Sequence, residues 1–198
     1  MAIRELELRK FTPEEFLAIE RRAEERSQYV CGHIYNMAGA SPRHELLCAN
    51  VVAALHRSLK PMCHVYGSNL RIRTTADGLF TYPDASVVCG ALQFHDERED
   101  TVTNPMVILD VLSKSTERFD RGGKFDLCKS IASLRSYILI AQHRPRVELF
   151  VRQPDGEWTL TVTEGLSARL EVESVGSWLD MSDIYRGVTF DASENQHH

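Results

Sequence analysis

Residues 106–141 decide the fold of this chain: MVILDVLSKSTERFDRGGKFDLCKSIASLRSYILIA. The stretch begins with Met106–Leu112, which is nearly continuous in Val, Ile and Leu, as expected of a central strand covered on both faces. After residues 113–123, the segment Lys124–Ile131 is predicted to form a helix, and Tyr137–Ala141 the next buried strand. Strand, helix and strand in this order predict a parallel crossover unit, which is almost always right-handed.

Two helices are predicted upstream of this unit. Thr12–Glu15 (TPEE) has the form of a capping box with proline at the first helical position. Ser41 and Pro42 begin a second helix in the same way. The apolar residues of this second helix recur at spacings that give one buried face. They are Leu47, Val51, Ala54 and Leu55.

The remaining segments predict strands and turns. Residues 29–37 are predicted to be a strand interrupted at Gly32 by a bend or a short hairpin, Asp77-Gly78 a turn, and the polar residues 91–104 a loop. A hairpin is expected around Pro154–Gly156. The other predicted strands are 65–66, 70–74, 80–89, 147–152 and 158–162.

This order of elements predicts an α+β protein: helices first, a mixed sheet in the middle and an antiparallel hairpin near the end. The 198 residues, of which 43% are hydrophobic and 26% charged, suit a globular domain with a substantial core. We expect a single domain over residues 1–190 and a flexible polar tail over 191–198.

Composition also limits location and partners. No apolar stretch approaches the roughly 20 residues that cross a bilayer, and the first residues lack the apolar core of a signal peptide. A cytoplasmic protein without membrane contact is therefore expected. The net charge of −5 argues against strong nonspecific binding of nucleic acid, although local basic patches can still hold phosphates.

The five cysteines are odd in number and widely spaced, with no CxxC pair. This pattern predicts reduced, mostly buried thiols, without a disulfide framework or a structural zinc site.

Two acids stand next to predicted strands. Asp84 in Tyr82-Pro83-Asp84 precedes the apolar run 85–89, and Asp110 follows four apolar residues. Two carboxylates on neighbouring strands can share a divalent cation, which is the requirement of nucleases that attack phosphodiesters with magnesium. The alternatives are a turn role for Asp84 and a structural salt bridge for Asp110, because a buried carboxylate needs a partner.

A nearby ammonium would complete this chemistry. Strand alternation puts Leu112 on the same face as Asp110, where many such nucleases carry a lysine, so the ammonium must come from elsewhere. Lys124 is the first candidate and Lys114 the alternative. His44, near the start of the second helix, is an auxiliary candidate for a metal or phosphate site, or else a core or capping histidine.

Taken together, these motifs resemble the Uma-type family of putative restriction endonucleases, within the PD-(D/E)xK nuclease superfamily. The resemblance covers about residues 10–190. The fragments that carry it, in order, are Gly32–His44, Asn50, Tyr82–Gly90, Asn104-Pro105, Asp110–Thr116, Asp120–Phe125, Leu134–Tyr137 and Arg144–Val147.

The resemblance implies a restriction-endonuclease-like fold, in which helices flank a central mixed β-sheet. It implies a Mg²⁺-dependent site, with Mn²⁺ as a substitute, DNA as substrate and a homodimer or higher homo-oligomer. By position, Asp84 matches the aspartate of the PD motif, Asp110 the second acid, and Lys124 the lysine displaced onto the following helix. Asp84 and Asp110 would then be the metal ligands.

Three positions depart from the family pattern. Asp110 replaces the usual glutamate, His33 replaces a glutamate in a Gly-Glu-Ile pattern, and Lys114 replaces a proline. Three hypotheses follow. The chain is a Mg²⁺-dependent endonuclease acting on DNA, or it is a catalytically degenerate module of the same fold that binds nucleic acid or protein. The third is a purely structural oligomeric protein, which requires the acids to be paired with arginines.

Overall fold

The computed structural model of the chain describes residues 9–37, 39–75 and 78–190. The predicted tail over 191–198 and Asp77, the first residue of the predicted Asp77-Gly78 turn, lie outside the described residues. In chain order the elements are α1 (Pro13–Glu20), β1 (Ser27–Val30), β2 (His33–Asn36), α2 (Pro42–Ser58), β3 (Cys63–Gly67), β4 (Arg71–Arg73), β5 (Leu79–Thr81), β6 (Ala85–Cys89), β7 (Thr101–Val102), β8 (Val107–Val111), α3 (Glu117–Phe119), a π-helical turn (Asp120–Lys124), α4 (Phe125–Cys128), β9 (Ser136–Ile140), β10 (Arg146–Arg152), β11 (Trp158–Glu164), β12 (Arg169–Val172), a 3₁₀ turn (Glu173–Val175), β13 (Ser177–Asp180) and α5 (Met181–Ile184).

A six-stranded mixed sheet forms the centre of the fold, with strand order β11-β10-β9-β8-β6-β3. β8 and β9 run parallel, as the strand–helix–strand pattern predicts, and the other neighbours are antiparallel. A second sheet has the order β2-β1-β5-β4-β7, and β12 pairs with β13. The α+β class with a mixed sheet is therefore confirmed, whereas the second sheet was not predicted.

Both predicted helix starts are confirmed. Thr12 and Glu15 form the reciprocal capping box of α1, and Ser41 Oγ accepts a hydrogen bond from the backbone amide of His44 at the start of α2. The buried face of α2 packs on one face of the six-stranded sheet, in a core with residues of β6, β8 and β9. Helix α2 therefore lies directly over the sheet positions that precede and follow Asp84 and Asp110.

The predicted strand 80–89 is in fact two strands, β5 and β6, which belong to different sheets. Tyr82-Pro83-Asp84 separates them. Proline has no N–H to donate to a ladder, so the chain leaves the first sheet here and enters the second. Asp84 consequently stands at the crossing between the sheets.

Other boundaries also differ from the predictions. The polar segment 91–104 contains β7, which pairs in parallel with β4. The helical region begins at Glu117, before the predicted start at Lys124, and ends at Cys128. The polar residues 113–123 concealed its first turns because they carry no apolar periodicity. Elements β12, β13 and α5 were missed.

The expectation of reduced thiols without a disulfide is wrong for two of the five cysteines. Cys63 and Cys89 form a disulfide, with Cα atoms 4.0 Å apart. They face each other in the β3–β6 register, which a sequence separation of 26 residues did not reveal. Cys31 is free but exposed, whereas Cys48 is half-buried and Cys128 buried.

Within the described part of the chain, no helix is both long enough and apolar enough to cross a membrane.

Candidate active site

The two predicted acids lie at adjacent positions of neighbouring strands. Ala85 of β6 is paired with Leu109 of β8, so Asp84 and Asp110 follow as the next pair beyond the ladder. The Oδ2 atom of Asp84 accepts a hydrogen bond of 2.7 Å from the backbone amide of Val111. This bond anchors a carboxylate at the strand end, beside a second carboxylate inside the sheet.

Asp110 is held by two side chains. Its Oδ1 atom lies 2.8 Å from Nζ of Lys124, and its Oδ2 atom accepts a hydrogen bond of 2.8 Å from the hydroxyl of Tyr137. All three residues are almost completely buried. Burial raises the pKa of Tyr137 well above its ordinary value, so the phenol is a neutral donor. The structure thus brings Lys124 to the second acid.

The π-helical turn explains how Lys124 reaches this position. Turns of this kind widen a helix locally and are frequent at functional sites. Asp120 and Lys124 begin and end the turn, both are buried, and Nζ of Lys124 lies 3.8 Å from Oδ1 of Asp120. At Gly123 an added Cβ atom would lie 3.2 Å from the ring of Phe119, so the turn favours glycine there.

The charges of this buried group are coupled. Burial and the nearby Asp110 carboxylate raise the pKa of Asp120 to about 6, although Lys124 opposes this change. Burial would lower the pKa of Lys124, but Asp110 and Asp120 outweigh it and the pKa is raised. Lys124 is therefore an ammonium that faces two carboxyl groups.

His44 lies on the other side of Asp84. Its Nε2 atom is 3.3 Å from Oδ2 of Asp84 and 3.1 Å from the carbonyl oxygen of Val111. The hydrogen bond to Asp84 raises the pKa of His44, against the effect of burial. Its Nδ1 atom is 3.4 Å from Sγ of Cys48, one helical turn further along α2. The structure thus places the auxiliary candidate His44 at the site.

The second lysine candidate is elsewhere. Lys114 is exposed in the turn after β8, and the ammonium at Asp110 is that of Lys124. Leu112 is buried in the core that contains Phe125 and Tyr137, together with Ile108 from the same face of β8. Leu112 was predicted to lie on the same strand face as Asp110, and its packing with Ile108 agrees with that prediction.

Three residues of the site were missed by sequence reasoning. Asp120 precedes Lys124 by one helical turn, and this spacing was the available signal. Tyr137 was placed in a buried strand but given no partner, and an isolated hydroxyl in an apolar run needs one. Cys48 lies one turn after His44, a spacing typical of side chains that meet on one helix face.

A buried polar network holds the segment before Asp84. The hydroxyl of Tyr82 lies 2.9 Å from Oε1 of Glu20 and 2.9 Å from Nη1 of Arg71. Arg71 also pairs with Asp100 at 2.8 Å, and Arg21 pairs with the same aspartate. These contacts join α1, β4 and the β6–β7 connection to the turn that carries Asp84.

Basic residues near the site are largely paired. Arg121 bonds to Glu117 and Glu148, and Arg146 bonds to Glu148 and Glu164. The cations after residue 113 therefore do not all contribute free positive charge to a phosphate-binding surface.

The donor set at the two acids suits a hard divalent cation. Carboxylate oxygens are the ligands that Mg²⁺ prefers, and an ionised carboxylate has about four lone-pair sites, so the hydrogen bonds described above leave capacity for a metal. Asp84 and Asp110 bring two such carboxylates to neighbouring strands, and the ammonium of Lys124 lies next to Asp110.

The chain is similar in sequence to a known family and to two curated proteins. The Uma2 family model, described as "putative restriction endonuclease", matches residues 13–182. The uncharacterized Synechocystis protein slr1290 is 34% identical over 184 residues, which cover 91% of this chain and 94% of that protein. A second uncharacterized Synechocystis protein, sll1609, is 34% identical over 161 residues, covering 81% and 91%.

The fold is also found in a solved structure. The crystal structure of "a putative nuclease belonging to DUF820" from Anabaena variabilis superposes with a TM-score of 0.72. The match covers 88% of this chain and 97% of that one at 20% identity, so it establishes a shared fold. The resemblance seen in the sequence motifs is confirmed by the family match.

Proposed function

The chain belongs to the Uma2 family of putative restriction endonucleases, and on that premise we propose that it is a metal-dependent endonuclease that hydrolyses phosphodiester bonds of DNA. One observation carries the proposal. Asp84 and Asp110 lie at adjacent positions of neighbouring strands, and Nζ of Lys124 is 2.8 Å from Asp110. Two carboxylates can hold the divalent cation that activates water in this reaction, and an ammonium beside them can stabilise the negative charge that develops.

Asp84 and Asp110 would hold Mg²⁺, for which Mn²⁺ could substitute. A divalent cation bound there would lower the pKa of water and neutralise charge on the phosphate. The two acids are preorganised for this role, because Val111 fixes Asp84 through its amide and Tyr137 fixes Asp110 through its hydroxyl.

The cationic side chains act on the phosphate and its leaving group. Lys124 is charged because two carboxyl groups raise its pKa, and an ammonium at this position stabilises negative charge that develops in the transition state. His44, whose pKa is raised by Asp84, would contact a metal-bound water or a phosphate oxygen beside that carboxylate.

A second candidate function is a binding module that keeps the fold without the reaction. The observation that favours it is the complete internal pairing of Asp110, Lys124 and Tyr137, which also satisfies a purely structural role. Such a module would bind nucleic acid or a protein and would not need a metal. Calorimetry with Mg²⁺ and Mn²⁺ separates the two functions, since only the endonuclease requires a metal at Asp84 and Asp110.

Cleavage of supercoiled plasmid is the direct test. The wild-type chain should nick or linearise the plasmid with Mg²⁺ or Mn²⁺, and Asp84→Ala and Lys124→Ala should both abolish cleavage. Asp84→Asn serves as a second variant of nearly equal size, and Lys114→Ala as the exposed-lysine control that keeps activity. Cleavage that survives Asp84→Ala and Asp84→Asn in folded protein would contradict the assignment.

The family resemblance also leads us to propose a homo-oligomer, and composition and length lead us to propose a cytoplasmic location and a single domain over residues 1–190. Sedimentation of the purified chain measures the first of these directly.

A further inference from the structure

We propose that His44, Cys48 and Asp84 form a second metal site, selective for a thiophilic transition-metal ion of the Zn²⁺ class. One ligand atom from each residue lies within 4.8 Å of the other two. This site is distinct from the proposed Mg²⁺ site at Asp84 and Asp110, although both use Asp84. It does not depend on nuclease activity.

The spacing of the first two ligands fits a single ion. His44 and Cys48 are one turn apart on α2, so their side chains meet on one face of the helix. Nδ1 of His44 lies 3.4 Å from Sγ of Cys48. An ion at about 2.1 Å from nitrogen and about 2.3 Å from sulfur in tetrahedral geometry separates those atoms by about 3.6 Å. The two side chains are therefore already at chelating distance.

The hydrogen bonds of His44 leave the correct nitrogen available. The carbonyl oxygen of Val111 lies 3.1 Å from Nε2 and can only accept a hydrogen bond. Nε2 must therefore carry the hydrogen in the neutral ring, and the lone pair is on Nδ1, facing Cys48. Histidines that bind metals almost always donate their other N–H to a carbonyl or carboxylate in this way.

Asp84 supplies the third ligand. The amide of Val111 donates a hydrogen bond to its Oδ2 atom, which fixes the orientation of the carboxylate. All three ligand residues are half-buried, so the site is sheltered but can still be reached by an ion. Three protein ligands leave a fourth position for water, as in open zinc sites.

The ligand types select the class of ion. Thiolate and imidazole favour Zn²⁺ and Co²⁺, whereas Mg²⁺ takes oxygen ligands. Binding forms a metal–sulfur bond and releases the thiol proton to solvent. The affinity should therefore fall as the pH is lowered.

Sharing of Asp84 has a consequence that rests on the proposed function. An ion bound to His44, Cys48 and Asp84 would occupy Asp84, which is then no longer available as a ligand of the proposed Mg²⁺ site. Zn²⁺ should then inhibit Mg²⁺-dependent cleavage, and Cys48→Ser should be less sensitive to this inhibition.

Cobalt spectroscopy on the full chain tests the site without an activity assay. Titration of metal-free protein with Co²⁺ should give thiolate-to-cobalt charge-transfer absorption in the near ultraviolet at one ion per chain, and Zn²⁺ should abolish it. Cys48→Ser should remove this absorption, and His44→Ala should weaken Co²⁺ binding at least tenfold. Cys31→Ser and Cys128→Ser are matched controls at the other two free cysteines and should keep it.

The outcomes are separable from those of the nuclease assay. Absence of the charge-transfer band in the wild type, or its persistence in Cys48→Ser, would overturn the proposal. Loss of the band in Cys31→Ser would do the same, because it would place the ion at the exposed thiol. A band that requires Cys48 in a chain that cleaves no DNA would sustain this site while the proposed function fails.

Discussion

Nζ of Lys124 lies 2.8 Å from Oδ1 of Asp110, with only 7% and 5% of the two side chains exposed. A buried ion pair of this kind contributes little net stability, but loss of one partner leaves an uncompensated charge in the interior. The pair is thus a structural constraint as well as a candidate catalytic element, and the two roles can be measured separately.

Lys124→Met should lower the free energy of unfolding by about 3–5 kcal/mol, because it leaves the Asp110 carboxylate buried without its cation. The double variant Lys124→Met/Asp110→Asn should lose less than the sum of the two single variants, since it removes both charges. Urea denaturation measures these values.

Lys129→Met is the matched control for that prediction. Lys129 pairs with Asp126 at 2.7 Å, but its side chain is 38% exposed and that of Asp126 is 69% exposed. Its loss should cost less than about 1 kcal/mol. Equal small costs for Lys124→Met and Lys129→Met would show that the buried pair is not charged in solution.

Asp120 should make stability depend on pH. Burial and Asp110 raise its pKa to about 6 in the folded chain, from an ordinary value of 3.8. The folded state therefore binds more protons than the unfolded state between these values, and stability falls as the pH rises from about 4 to about 6. Above that window the cost is fully present.

Asp120→Asn removes the ionisation and keeps a similar shape. Relative to the wild type, the variant should become progressively more stable as the pH rises from 4 to 7, and the difference should then level off. Urea denaturation at several pH values, with a chelator present, measures this difference. A difference that does not change with pH would mean that Asp120 ionises with an ordinary pKa.

The central part of the fold and most of the site followed from the sequence. The apolar runs of β8 and β9 predicted the parallel pair, and Asp110 in such a run required a partner. Lys124 was the first candidate for the ammonium of the site, and the structure shows it as the ion-pair partner of Asp110 in place of the arginine that the structural alternative expected. These inferences succeeded because strand periodicity and the cost of a buried charge are local properties of the chain.

The parts that were missed depend on contacts between distant segments. Cys48 joins the site only because α2 packs over the end of β8, and the Cys63–Cys89 bond follows from the β3–β6 register. The division of 80–89 into β5 and β6 depends on a second sheet that has no signature in the residues of that segment. Local patterns do not report such long-range pairings.

The Cys63–Cys89 disulfide should contribute to stability by limiting the unfolded chain. It closes a segment of 26 residues, for which the loop-entropy relation gives about 3–4 kcal/mol. The double variant Cys63→Ser/Cys89→Ser should lower the free energy of unfolding by an amount of this order. Urea denaturation, with and without reductant for the wild type, checks it.

Cys31→Ser is the control for the disulfide, because Cys31 is exposed and free. It should leave the free energy of unfolding unchanged. Mass spectrometry after alkylation of the denatured, unreduced chain gives an independent count, and we expect three modified cysteines. Five modified cysteines would show that the bond does not form.

Tyr82→Phe should weaken the support of the turn that carries Asp84. The Tyr82 hydroxyl joins Glu20 to Arg71 at 2.9 Å on each side, and all three residues are buried. Removal of a hydroxyl that bonds to two charged groups should cost about 1–3 kcal/mol in urea denaturation.

The matched control is Tyr35→Phe. Tyr35 lies on β2 and is 51% exposed, so this substitution should change the free energy of unfolding by less than about 0.5 kcal/mol. Because Tyr82 is two residues before Asp84, Tyr82→Phe should also lower the rate of any metal-dependent cleavage, whereas Tyr35→Phe should not. If both variants were equally stable, the buried network would not hold the turn, and Asp84 would depend on its bond to the Val111 amide alone.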